Sequence, residues 1–152
     1  GYTLVIGPTT ALSVVPHLYS KVPYKADRDF VPISMVGLLN TALIANPGVP
    51  QNSVRELVAH LKAQPESMAA ATLGPGSYYH LAGEWFGFGS GTKIKFIPYN
   101  TTSPYADLVA GQVQLMFDTV SSALPQIKAG KTSASGGTNT PSPAANPPGS
   151  PK

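Results

Sequence analysis

From residue 41 onward, short apolar runs alternate with segments of helical periodicity, and this alternation limits the chain to a few architectures. "TALIAN" (41–46) has the composition of a buried strand and is stopped by Pro47. In "SVRELVAHLKA", Val54, Leu57, Val58 and Leu61 recur at i, i+3, i+4 and i+7. Ser53 and Glu56 there form a capping box, and Pro65 lies beyond the end. "MAAAT" (68–72) reads as a small-residue strand. Next comes a helix in which Tyr78, Leu81, Trp85 and Phe88 share one stripe, ended by glycines 87, 89 and 91. "KIKFI" (93–97) reads as a strand with its polar side outward. "SPYADLVAG" reads as a helix with Ser103 as N-cap, Pro104 at its first position and Gly111 at its end. "VQLMFD" (113–118) alternates like a strand, and "SSALPQIKAG" is a short helix with Pro125 in its first turn. The order β-α-β-α-β-α-β-α predicts an α/β fold, a parallel sheet with helices on both faces. Ligands of such sheets bind outside the carboxyl ends of the strands. Those ends are 7–10 (after the apolar run 2–6, read as a strand), 72–77, 98–102 and 118–121.

Composition removes several function classes. Only 11% of the 152 residues are charged and the net charge is +3, too dilute for a nucleic-acid footprint. There is no cysteine, so thiolate metal sites and cysteine nucleophiles are excluded; their absence is compatible with the periplasm. His17, His60 and His80 lack the spacing of a zinc site. No apolar run approaches the length of a membrane span. The stretch 132–152 contains only Thr, Ser, Ala, Gly, Asn, Pro and Lys, and is expected to be a disordered tail.

The segment "TLGPGSYYHL" (72–81) joins a strand to a helix on the functional edge. It is no phosphate loop, dinucleotide fingerprint or nucleophile elbow, because glycine, lysine and serine fall at the wrong spacings. What its residues permit is anion capture: Gly74 and Gly76 allow close backbone approach, and Ser77 caps a helix whose dipole favours a negative group. A structural turn feeding a capped helix fits the same residues. One of Tyr78 and Tyr79 is expected in the core, and His80 on a helix face. Asp118 either caps the following helix or orients a donor group or water on a ligand.

Four stretches, "GYTLVIGPTTALSVVPHLYSKVPYKADRDFVPISMVG", "ATLGPGSYYHLAGEWF", "FIPYNTTSPYADLVAGQVQLMFD" and "ALPQIKAGK", resemble successive motifs of the Bug-type periplasmic solute-binding proteins, the receptors of tripartite tricarboxylate transporters. The resemblance runs from Gly1 to Lys131. It implies a receptor, not an enzyme, with a type II-like periplasmic-binding-protein fold that closes two lobes on a small carboxylated solute. The solute classes it implies are di- and tricarboxylates, amino acids and aromatic acids; the partners are transporter membrane subunits, and the location is the periplasm. No cofactor is implied. Residue by residue, it assigns ligand contacts to Thr72, Gly74, Gly76, Ser77 and Tyr78. It also maps the Pro98–Tyr99 and Phe117–Asp118 pairs, with Tyr99 and Asp118 as the contacts, and matches Gly7, Thr9 and Thr10 to a first-lobe loop, with Thr9 and Thr10 as ligand contacts. The expected organisation is a first-lobe remnant (1–37), a nearly complete second lobe with a parallel-rich sheet (38–131), and the tail (132–152). The family has small polar residues where Tyr78 and Tyr79 stand, an N-terminal strand and glycine-rich loop unmatched here, and an apolar strand after "IKAGK". The expectation is therefore a truncated product, with a frameshift after Lys131 as one origin. Apolar surface left uncovered on 1–37 predicts marginal stability or self-association. The rival readings are a remnant that binds no ligand or only a partner, and a small α/β enzyme.

Overall fold

The apolar runs after residue 40 do become strands, and the reason is that both faces of each central strand are covered. A computed structural model of the chain describes residues 3–99 and 103–137. In order, these form α1 (Thr9–Ser13), α2 (Val15–Leu18), α3 (Ala26–Asp29), β1 (Thr41–Ala45), α4 (Val54–Ala63), β2 (Ala69–Thr72) and α5 (Tyr78–Ser90). There follow β3 (Lys95–Pro98), α6 (Tyr105–Val109), β4 (Leu115–Thr119), α7 (Val120–Lys128) and β5 (Ser133–Gly137). One sheet runs β3-β2-β4-β1-β5. β2 pairs in parallel with β3 and β4, whereas β1 pairs antiparallel with β4 and β5. The sheet is mixed but parallel-rich, as expected: four strands share a direction and only β1 is reversed, which the alternation alone did not show.

All five residues of β1 and of β4 are buried, and successive side chains serve opposite layers. Leu43, Ala45, Ala70, Leu115 and Phe117 pack with Leu57 and Leu61 of α4 and with Tyr79, Ala82 and Phe86 of α5. Ile44, Ala71 and Met116 pack on the other face with Leu108 of α6 and Ala123 and Ile127 of α7. Gly83 brings α5 close to the sheet. A methyl group there would lie 2.5 Å from Phe96 Cε1 and 3.2 Å from Phe117 Cε2.

Several details differ from the sequence reading. The apolar stripe of α5 faces outward: Trp85 is 70% and Phe88 87% exposed, while Tyr79, Ala82, Gly83 and Phe86 face the core. The aromatic stripe and the inward face are offset by one position, and the smaller residues allow the closer approach. Helix α5 continues through Gly87 and Gly89 and ends at a left-handed Gly91. Helix α6 is capped one residue later than expected, at Pro104. Helix α7 begins at Val120, which puts Pro125 inside it instead of in its first turn. The capping box of α4 is half formed: Glu56 N–H donates to Ser53 Oγ at 3.2 Å, and the Glu56 carboxylate accepts from Asn52 N–H.

Before residue 41 the chain behaves otherwise. Residues 3–6 form no strand and are exposed, because a strand needs a partner and none lies alongside among the described residues. Helices α1 to α3 bury no residue fully, and residues 31–40 form no helix or strand. After residue 131, β5 adds to the edge of β1, so residues 133–137 are ordered where a disordered tail was expected. Main-chain pairing needs no apolar side chain, which is why composition gave no sign of it. Residues 138–152, the 100–102 portion of the third strand end, and Tyr2 lie outside the described residues.

Candidate functional site

Strand β2 lies between β3 and β4, so the chain leaves β2 toward one side and later returns on its other side. The helices that follow β2 and β4 also diverge, α5 covering one face and α7 the other. Adjacent parallel strands whose connections part in this way open a crevice at their carboxyl ends. Thr72 ends β2 there, Asp118 and Thr119 end β4, and Thr41 of the reversed β1 starts at the same edge.

Two helix N-termini flank this crevice. Gly76 has φ +76° and the side chain of Leu18 packed where a Cβ would stand, so the turn between β2 and α5 requires glycine. Ser77 N–H donates to the Gly74 carbonyl at 3.2 Å, and Ser77 Oγ accepts from His80 N–H at 3.2 Å as N-cap of α5. The buried Thr72 hydroxyl accepts from Gly74 N–H at 3.4 Å. On α7 the cap is Thr119, whose hydroxyl accepts from Ser122 N–H at 3.4 Å. The N-termini of two helices, and so their positive dipole ends, therefore lie at one edge, an arrangement suited to a carboxylate without any cationic side chain.

The remaining assigned residues separate into groups. Tyr78 opens α5: its hydroxyl accepts from Thr41 Oγ1 at 2.7 Å and donates to the Leu39 carbonyl at 3.0 Å. Asp118 is buried, and its carboxylate accepts from Thr119 N–H at 2.6 Å and from the Tyr105 hydroxyl at 2.7 Å. It does not cap α7, since Thr119 does. Burial, the hydrogen bond to Asp118 and that carboxylate's charge push the Tyr105 hydroxyl far above its ordinary value. Burial and then the Asp118 charge raise Tyr79 as well. Tyr99 continues the β2–β3 pairing, its N–H donating to the Thr72 carbonyl at 2.8 Å. Its hydroxyl turns to Asp107 of α6 at 2.8 Å, which raises it too. Thr9 and Thr10 begin α1, and no hydrogen bond joins their side chains to the crevice among the described residues. The N-terminal segment instead reaches the loop through Leu18 against Gly76. His80 stacks edge-on against Phe96 at 5.0 Å, with Nδ1 buried and unpartnered.

Sequence reasoning missed Thr41, Tyr105 and Thr119. Thr119 before an apolar run carried a capping signal, but Thr41 and Tyr105 reach the edge only through pairings 37 and 13 residues apart. Hollows in the described surface include one of about 520 Å³ along the N-terminal helices, lined by Leu12, His17, Tyr24 and Asp27, and one of about 400 Å³ lined by Asn46, His60, Gln64, Ser67 and Gln114 at the opposite end of the sheet. The side-chain amides of Asn46 and Gln114 are already used there to tie loops together.

A mixed sheet layered between helices, with helix N-termini at a strand-end crevice, is an architecture that the chain shares with solved periplasmic binding proteins. The chain superposes on a solved periplasmic transporter with a TM-score of 0.74 and 32% identity, covering 84% of this chain and 43% of that one. It also superposes on a Rhodopseudomonas palustris protein solved with adipate, with a TM-score of 0.69 and 26% identity, covering 79% of this chain and 40% of that one. The model of the tripartite tricarboxylate transporter family receptor matches residues 1–148, and the chain belongs to that family. Protein BugT of Bordetella pertussis is 36% identical over 136 residues, 88% of this chain and 42% of that protein. The chain thus spans about two-fifths of the length of the curated relatives it matches. The matched region passes Lys131, in keeping with the pairing of β5.

Proposed function

We propose that this chain supplies one carboxylate-binding wall of an extracytoplasmic receptor, which delivers a small organic acid to the membrane subunits of a tripartite transporter. The observation that carries the reading is the Ser77-capped N-terminus of α5 at the strand-end crevice, with that of α7 across from it. Thr72, Gly74, Gly76, Ser77 and Tyr78 form the wall in this reading. Asp118 acts indirectly, holding Tyr105, and Tyr99 supports the strand end. Residues 38–131 are the second lobe and 1–37 belong to the first, so Thr9 and Thr10 meet the solute from the opposite side. The setting is the periplasm and the role is binding, not catalysis. Di- and tricarboxylates, amino acids and aromatic acids are the candidate solutes.

Melting in the presence of each class tests this. A ligand at a hundred times its Kd stabilises by about 2.7 kcal/mol, enough to raise Tm by several degrees. At least one class is expected to do so, and no shift at millimolar concentration contradicts the reading. A second reading is favoured by the exposed apolar residues of 3–6 and 31–39, which suit self-association or a protein partner. Concentration-dependent sedimentation supports it, and a monomer at all concentrations counts against it.

A further inference from the structure

The chain enters β1 through residues 39–41, and these three residues are held from both sides of the crevice. The Leu39 carbonyl accepts from the Tyr78 hydroxyl, and Thr41 Oγ1 donates to the same hydroxyl. Between them, the Asn40 carbonyl accepts from Val120 N–H, the first residue of α7, at 2.9 Å. One short segment therefore bridges the starts of α5 and α7. N-terminal to it, residues 31–38 join no strand or helix among the described residues, and Leu38 and Leu39 are exposed. Tyr78 immediately follows Ser77, and the same loop touches the N-terminal segment a second time, through Gly76 and Leu18.

We propose that Tyr78 is a positioning residue, a latch that fixes where the N-terminal segment leaves the sheet relative to the Gly74–Ser77 loop. The segment pivots where pairing begins, at Asn40 and Thr41, and the Tyr78 hydroxyl spans this pivot. An anion drawn to the start of α5 acts on the element that carries the latch, so solute binding and placement of the N-terminal segment are coupled. The coupling rests on the carboxylate reading above; the latch itself does not.

The absence of cysteine allows clean spin labelling at two introduced sites, Ser13→Cys on α1 and Lys62→Cys on α4. The distance distribution between them is measured with Tyr78 intact and in Tyr78→Phe, without and with millimolar adipate. Loss of the phenol hydroxyl is expected to raise the unlatched population by roughly tenfold, the effect of losing one to two hydrogen bonds, and to broaden the distribution while far-UV dichroism is unchanged. Equal widths overturn the latch whatever adipate does. Adipate is expected to shift the distribution with Tyr78 intact and to require several-fold higher concentration in Tyr78→Phe. If adipate moves neither protein while the widths differ, the latch stands and its coupling to adipate falls; if no acid of the candidate classes moves either protein, the carboxylate reading falls with it. Should Tyr78→Phe fail to fold, Thr41→Val removes one hydrogen bond from the same hydroxyl without altering α5, and an unbroadened distribution there overturns the proposal.

Discussion

Residues 41–131 and residues 3–39 contain similar proportions of apolar side chains and use them in opposite ways. In the first region Ile44, Leu61, Leu108 and Leu115 are completely buried, between a sheet and a helix layer on each face. In the second, Ile6 and Val31 are 86% exposed and no helix buries a residue fully. The difference is not in propensity. A strand is stable only when its neighbours and a covering layer are present, and the N-terminal residues lack both among the described residues. Binding capacity follows the same division. The crevice stands on the packed region, and among the described residues the Leu18–Gly76 contact and the hydrogen bond from Tyr78 to the Leu39 carbonyl join it to the other region.

Removing side chains breaks this comparison most directly. Phe117→Ala, which empties the layer under α4 and α5, is expected to cost about 3–5 kcal/mol in denaturant unfolding. Gly83→Ala tests the close approach of α5. Its methyl group would meet the Phe96 and Phe117 rings, and overpacking of that kind costs about 1–3 kcal/mol. Alkaline unfolding probes the tyrosine–carboxylate pairing. Tyr105 holds its proton more tightly folded than unfolded, so its contribution is complete below the unfolded value near 10 and is lost as pH rises past it. Stability should therefore fall above about pH 10, and Tyr105→Phe should flatten that fall. At the small end, Val36→Ala in the exposed segment should change stability by less than about 0.5 kcal/mol. A cost above about 2 kcal/mol there would mean that the N-terminal region is packed, and would dissolve the distinction.

The legibility of the chain follows the same physics. β1 and α4 could be read because their apolar pattern and the Ser53 cap are local. The reversal of β1 could not, since the direction of a strand depends on how distant strands pair with it. The outward stripe of α5 misled because large aromatics suggest burial, while Gly83 and Ala82 let the opposite face approach more closely. β5 left no apolar trace, and the run 2–6 left a strong one without forming a strand. In the site, the Gly-Pro-Gly-Ser turn and its capping serine were legible as a sequence of conformational requirements. The Tyr105–Asp118 pair and the hold of Tyr78 on residues 39–41 were not, because each is made by tertiary contact.

The central claim is that an organic carboxylate binds at the start of α5. The most direct measurement is an adipate titration of the isotope-labelled chain, following the backbone amides of Tyr78, Tyr79, His80 and Leu81. The account predicts that these amides and those of Val120–Ser122 shift together and saturate, and that Ser77→Pro abolishes the response. Saturating shifts confined to the depression around His60 and Gln114, or a response unchanged by Ser77→Pro, would contradict it.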